Sequence, residues 1–164
     1  MALLGLRDAF FILGIVSLLT DLVDGPLARW SGQSSRAGAR LDTIADACTL
    51  LAGILGLYLF EFANLRAELG WLGLFLISYG LAALACLARF GCLPAYHLYL
   101  SKAGAVGSGL FFTWLYVLGY SQQFFVALVG LGVLANVESL LVTLRLKRFR
   151  TDVGSVLQLR GDKR

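Results

Sequence analysis

Apolar runs about as long as a hydrocarbon core is thick recur along almost the whole chain, and they leave few folds open. A helix needs roughly 20 residues to cross a bilayer, and each backbone N–H and C=O must find its partner within the segment once water is gone. Five such runs can be drawn, over residues 6–28, 38–61, 70–90, 104–121 and 123–145. Of the 164 residues, 59% are hydrophobic, against roughly 45–50% in a soluble domain. The expected fold is all-α: a polytopic membrane helical bundle of about five transmembrane helices.

Charge gives the bundle two unequal sides. Arg29, Arg36 and Arg40 separate the first two runs, Arg89 and Lys102 flank the third gap, and Arg145, Lys147, Arg148, Arg150, Arg160, Lys163 and Arg164 follow the fifth run. The other side carries Arg7 and Arg66 beside Asp8, Glu61 and Glu68, and the uncharged YSQQ turn at 120–123. Excess Lys and Arg mark the cytoplasmic side. A multi-pass membrane domain over 1–150 is therefore expected, followed by a basic polar cytoplasmic tail over 151–164 lying against the anionic leaflet. The bilayer is the expected partner surface, and no nucleic acid is expected.

Cys48, Cys86 and Cys92 are odd in number and lie in or beside the runs, so they read as small apolar residues without a disulfide frame. The N-terminal run passes into acidic residues without a small-x-small cleavage site, so it reads as a retained span. GAVGSG at 104–109 has the spacing of a dinucleotide fingerprint, but no strand precedes it, and a loop entering a membrane helix accounts for it better. The tryptophans and tyrosines suit interfaces or packing and are assigned no function.

The carboxylates are harder to explain. Asp21 and Asp24 are three apart and Asp42 and Asp46 four apart, so each pair shares one helix face. Acidic residues at a helix start are mildly favoured by the macrodipole, which explains one aspartate better than two. An ionised side chain within a span costs about 2.5–3.5 kcal/mol on insertion scales, so four need compensation. The nearby arginines could supply it as salt bridges, but a divalent cation is the stronger compensator. Magnesium takes hard oxygen ligands and commonly links carboxylates to substrate phosphates, which suggests metal-assisted phosphoryl transfer. Further along, Gly53 and Gly56 suit close helix contact.

Asp21-x2-Asp24-Gly25-x2-Ala28-Arg29-x8-Gly38-x3-Asp42-x3-Asp46 resembles the signature of the CDP-alcohol phosphatidyltransferase family at every fixed position. At average residue frequencies the seven positions from Asp24 to Asp46 match by chance on the order of 10⁻⁸ per starting point. The resemblance implies a phospholipid-biosynthetic transferase, usually a homodimer with a cytosol-facing site. Members use Mg²⁺ (or Mn²⁺) to move a substituted phosphate from a CDP-alcohol, typically CDP-diacylglycerol, to an acceptor alcohol with release of CMP. Carried over, Asp21, Asp24 and Asp42 become metal ligands, and Asp46 completes the metal set and acts as the catalytic base. Asp21, Gly25, Ala28, Arg29 and Gly38 become the CDP site. Small residues at 25, 28 and 38 let a pyrophosphate approach the backbone, and Arg29 offers a planar fork to phosphate oxygens.

For the acceptor, Arg89 and Lys102 are candidates, weighed against plain helix anchoring. A glycerol 3-phosphate-like alcohol ranks first. His97 reads as structural, and Asn136 and Glu138 are expected to face the bundle interior, either bonded there or at the site's edge. Family members usually have six spans, and this chain starts almost directly at the helix bearing the first aspartate. The usual first helix is therefore expected to be missing and the N-terminus to lie outside. A truncated or inactive relative serving as a scaffold is the alternative, although a scaffold has no need of an intact signature. A cation transporter is a further alternative, but it would place acidic residues near the bilayer midplane on several helices.

Overall fold

The computed structural model describes residues 6–17, 19–20, 36–151 and 153–161, with residues 36–43 and 160–161 described by their backbone. Among the described residues every regular element is a helix. The first, α1, covers 6–17 and 19–20. It is followed by α2 (Arg36–Phe60), α3 (Phe62–Leu65), a 3₁₀ turn at Arg66–Glu68, α4 (Leu69–Phe90), α5 (Tyr99–Val117), α6 (Gln122–Arg145) and a 3₁₀ turn at Gln158–Gly161.

Local chemistry sets several of these ends. Gly91 takes the left-handed conformation at φ 69°, its N–H donates to the Leu87 carbonyl at 2.9 Å, and Pro94 follows, so α4 closes where a side chain would be strained. At the start of α6, Ser121 accepts from the Phe124 N–H through Oγ at 3.4 Å and from the Phe125 N–H through its carbonyl at 3.0 Å. That is the work of an N-cap serine.

The distribution of polarity is that of a bundle in lipid. Leu13, Leu51, Ile77, Leu84, Leu110 and Leu134 are exposed on α1, α2, α4, α5 and α6, while Glu68, Glu138, Ser139 and Thr143 are buried. A soluble protein does not keep such apolar patches in water, and in hydrocarbon the polar groups are the ones that must be enclosed. The stretches Phe62–Phe90 and Gln122–Arg145 are long and apolar enough to cross a membrane, and Ile44–Phe60 is a shorter apolar helix. The all-α membrane bundle expected from the sequence is the observed class.

The chain forms two compact units. The first comprises Met1–Leu69 and Ala105–Phe125. Its centre is Phe11, fully buried, with its ring stacked on Tyr116 at 5.9 Å and tilted against Phe112 at 6.0 Å. A side-chain carbon on Gly56 would overlap the Phe10 ring, and one on Gly53 would lie 3.1 Å from Phe112. The two glycines therefore set how closely α2 approaches α1 and α5. At one end Arg7 Nη2 donates to Glu61 Oε1 at 2.8 Å, and Gln122 Nε2 donates to buried Glu68 Oε1 at 2.7 Å. These groups all fall on the side where the charge map is sparse.

The second unit comprises Gly70–Gly104 and Val126–Arg164. Here Cys86, Tyr96, Leu98, Val142, Leu146 and Val153 form one buried cluster, with Phe149, Val156 and Leu159 packed against it. Charge drew attention to the basic residues of the tail, whereas its apolar residues enter this core. Asn136 Nδ2 donates to Ser78 Oγ at 3.0 Å, bonding α6 to α4. Thr143 Oγ1 donates to the Ser139 carbonyl at 3.0 Å, so it receives a proton from Tyr96 Oη at 2.9 Å. Tyr96 Oη is then left to accept from Cys86 Sγ at 3.4 Å. The Tyr96 and Thr143 hydroxyls thus each give one proton and take one, as buried polar groups require.

Candidate active site

Of the expected site residues, Asp21, Asp24, Gly25, Ala28 and Arg29 lie outside the described residues. Gly38 and Asp42 belong to the backbone-described turns of α2, and Asp46 is the motif aspartate whose side chain is described, exposed on α2. The described geometry is therefore that of α2 and the helices packed on it.

Helix-start chemistry does not account for the α2 pair. The helix is already formed at Arg36 and has no acidic residue in its first turn; Asp42 and Asp46 stand in the second and third turns. Stabilisation by the macrodipole fades within the first turn.

Register gives the pair a direction. Positions i, i+4, i+7, i+11 and i+14 of an α-helix fall in a stripe about 80° wide, and from Asp42 these are Asp46, Thr49, Gly53 and Gly56. The glycine end of that stripe faces Phe112 of α5 and Phe10 of α1. Burial deepens along it from exposed Asp46 through half-buried Thr49 and Gly53 to buried Gly56. Beside it lies a cavity of about 260 Å³, lined by Leu13, Gly14 and Ser17 of α1, Thr49 and Gly53 of α2, and Phe112 of α5.

Among the described residues no three His, Cys, Asp or Glu side chains gather as a metal site. The motif's own donors are hard carboxylate oxygens, and Asp42 and Asp46 lie one turn apart on one stripe. That donor chemistry suits magnesium or manganese.

The acceptor candidates are in the second unit. Arg89, in the last turn of α4, donates through Nη2 to the Leu146 carbonyl at 2.9 Å and lies 5.6 Å over the Phe90 ring. Lys102 Nζ, in the opening turns of α5, is 5.9 Å from the Tyr99 ring centroid. They stand on either side of the connection 91–98. Arg89 thus ties the end of α4 to the backbone just beyond α6. In the same connection His97 takes a left-handed φ of 48°. Burial, with Cys86 beside it, raises the Tyr96 hydroxyl well above the ordinary tyrosine range.

The sequence places Glu138 in the bundle interior, where it is buried; its partners there, and the pairing of the segment that carries them, escape that reading. Glu138 accepts from Ser155 Oγ at 2.7 Å and from the Val156 N–H at 3.0 Å. The segment holding those donors pairs with the 96–99 backbone. The signal that could have found them was the recurrence of Val153, Val156 and Leu159 around Gly154, just after a basic run.

Compared with known protein families, residues 1–144 match the family model described as CDP-alcohol phosphatidyltransferase. No curated protein and no solved structure matches the chain.

Proposed function

We propose the reaction from a plain premise: the chain belongs to the CDP-alcohol phosphatidyltransferase family, whose model covers residues 1–144. It is a transferase of that kind, taking a phosphatidyl group from a CDP-alcohol. The donor we propose is CDP-diacylglycerol, whose acyl chains suit a protein exposing leucine to lipid. The products are a phospholipid and CMP.

Asp21, Asp24, Asp42 and Asp46 would hold Mg²⁺ or Mn²⁺, which, when bound, would offset the charge gathering on the phosphate oxygens. In this reading Arg29 binds phosphate oxygens through its planar fork, and Gly25, Ala28 and Gly38 leave room for the nucleotide. Asp46 accepts the proton of the acceptor hydroxyl. The hydroxyl oxygen forms its bond to the phosphorus bearing the lipid alcohol as the bond to the CMP oxygen breaks, and CMP departs with that electron pair. Arg89 and Lys102 would orient the acceptor, with a glycerol 3-phosphate-like alcohol first in order. We place the site on the cytoplasmic side of a multi-pass homodimer, as the charge map and the resemblance imply.

One observation carries the reading. Asp46 stands past the first turn of α2, on the stripe that runs through Thr49 and Gly53 into the α1–α2–α5 cavity. A carboxylate there has no helix-start role, and its exposed side chain is within reach of an alcohol arriving from water. The test is CMP release by the purified chain in liposomes with CDP-diacylglycerol, Mg²⁺ and a panel of acceptor alcohols. Release that depends on one acceptor and disappears in Asp46→Asn supports the assignment. Silence with every acceptor, from folded protein, makes the chain an inactive relative.

A further inference from the structure

The second unit contains a buried carboxylate bonded to the C-terminal segment. Glu138 is 9% exposed about two turns before the end of α6, where a buried carboxylate is expensive unless it is well bonded. Among the described residues both of its bonds go to the C-terminal segment: Ser155 Oγ at 2.7 Å and the Val156 N–H at 3.0 Å, each donating to Oε1. That segment is in turn bonded to the α4–α5 connection. The Val153 N–H donates to the Tyr96 carbonyl and the Tyr99 N–H to the Gly154 carbonyl, each at 2.9 Å. Gly154 makes the turn at φ 71°, and a side-chain carbon there would lie 2.7 Å from Gln158 Oε1 and 3.2 Å from the Tyr99 ring. Beneath lies the cluster of Cys86, Tyr96, Leu98 and Val153.

We propose that Glu138 is a positioning residue for the acceptor. Through a clasp formed by residues 153–156 it fixes the 91–98 connection, at whose ends stand Arg89 and Lys102. The acceptor part rests on the function proposed above; the clasp itself does not. A leucine at 138 would fill the space but give the strap's hydroxyl and N–H nothing to bond. The chain would then lose the directional contacts that set the height and register of residues 96–99. Glutamine keeps an acceptor oxygen at the same reach and should rescue.

The test uses the full chain in liposomes and has two readouts. The first is maleimide labelling of Cys86, which is buried under the clasp, measured by peptide mass against exposed Cys48 in the same molecule. The second is the KM for the acceptor against the KM for CDP-diacylglycerol. Glu138→Leu, and separately Gly154→Ala, which leaves Glu138 in place, should raise relative Cys86 labelling roughly tenfold or more. Glu138→Gln should raise it less than about threefold. With the clasp open, the acceptor KM should rise roughly tenfold while the CDP-diacylglycerol KM stays within about twofold. Cys86 as protected in both disrupting variants as in wild type overturns the clasp. An open clasp with the acceptor KM unchanged, or with both KM values raised alike, overturns the positioning role. A wild type silent with every acceptor overturns the reaction reading and the acceptor role together, and Cys86 labelling then still decides the clasp.

Discussion

Where α1 meets α2 in the first unit, the contact is an aromatic ring against a glycine, Phe10 on Gly56. Where α4 meets α6 in the second, a ring on glycine recurs, Phe75 on Gly132, but hydrogen bonds join it: Asn136 to Ser78, and Tyr96 to Thr143 from the connection above. Lipid explains both solutions. Hydrocarbon tails are as apolar as leucine, so helices gain little by hiding apolar surface from them, and association relies on close packing or interhelical hydrogen bonds. Rings against glycine fix a distance. Hydrogen bonds also fix direction, so the second unit can order irregular chain at 91–98 and 153–156 as well as helices.

The comparison can be broken at several places. The largest effect is chemical: Asp46→Asn should lower CMP release about 10²–10⁴-fold while leaving the thermal midpoint in detergent almost unmoved. A large fall in midpoint instead would make Asp46 part of the packing. Next is volume in the first unit. Gly56→Leu, forced into the Phe10 ring, should destabilise by about 1–3 kcal/mol. Gly80→Ala, with open space around it, should stabilise α4 by up to about 1 kcal/mol. Denaturation in mixed micelles reads both, and equal effects would refute the close-contact account of Gly56.

Removing a hydroxyl from the second unit should cost less. Tyr96→Phe takes away the bonds to Thr143 and Cys86 and should destabilise by about 1 kcal/mol. It should also alter the alkaline limb of stability. Because the Tyr96 pKa is raised by burial in the folded state, the fold keeps a proton that the unfolded chain gives up near pH 10. The stabilisation is complete below about pH 10 and is lost as pH rises beyond it. The Tyr96→Phe variant should show a shallower decline there, and an identical pH profile would mean that Tyr96 ionises as easily folded as unfolded. Smallest is Asn136→Ala, which removes one interhelical bond and should cost about 0.6 kcal/mol.

Much of the class was legible beforehand because lipid imposes a simple rule on sequence. Apolar length gave an all-α bundle, and the spacing of four aspartates with small residues between them gave the family. The glycines at 53 and 56 were readable as contact points because a missing side chain in a span has few other uses. Tail residues 153–159 were not readable in this way. The basic residues on either side of them, Arg145 to Arg150 and Arg160 to Arg164, dominate any local tally of charge, while Val153, Val156 and Leu159 recur every third residue around Gly154, the spacing of a turn and not of an α-helix or a strand.

What the sequence determined by itself, then, is chemistry that resides in residue type: which stretches tolerate hydrocarbon, which side of the chain is basic, and which carboxylates recur at phosphoryl-transfer spacing. Tertiary structure alone decided which groups meet. That Asp46 lies on the stripe leading to the α1–α2–α5 cavity, that Arg89 is bonded to the Leu146 carbonyl, and that Glu138 holds the C-terminal segment all depend on partners far away along the chain. Local pattern fixes the face a residue occupies on its own helix; the helix or strap brought against that face is chosen by the packing of the whole unit.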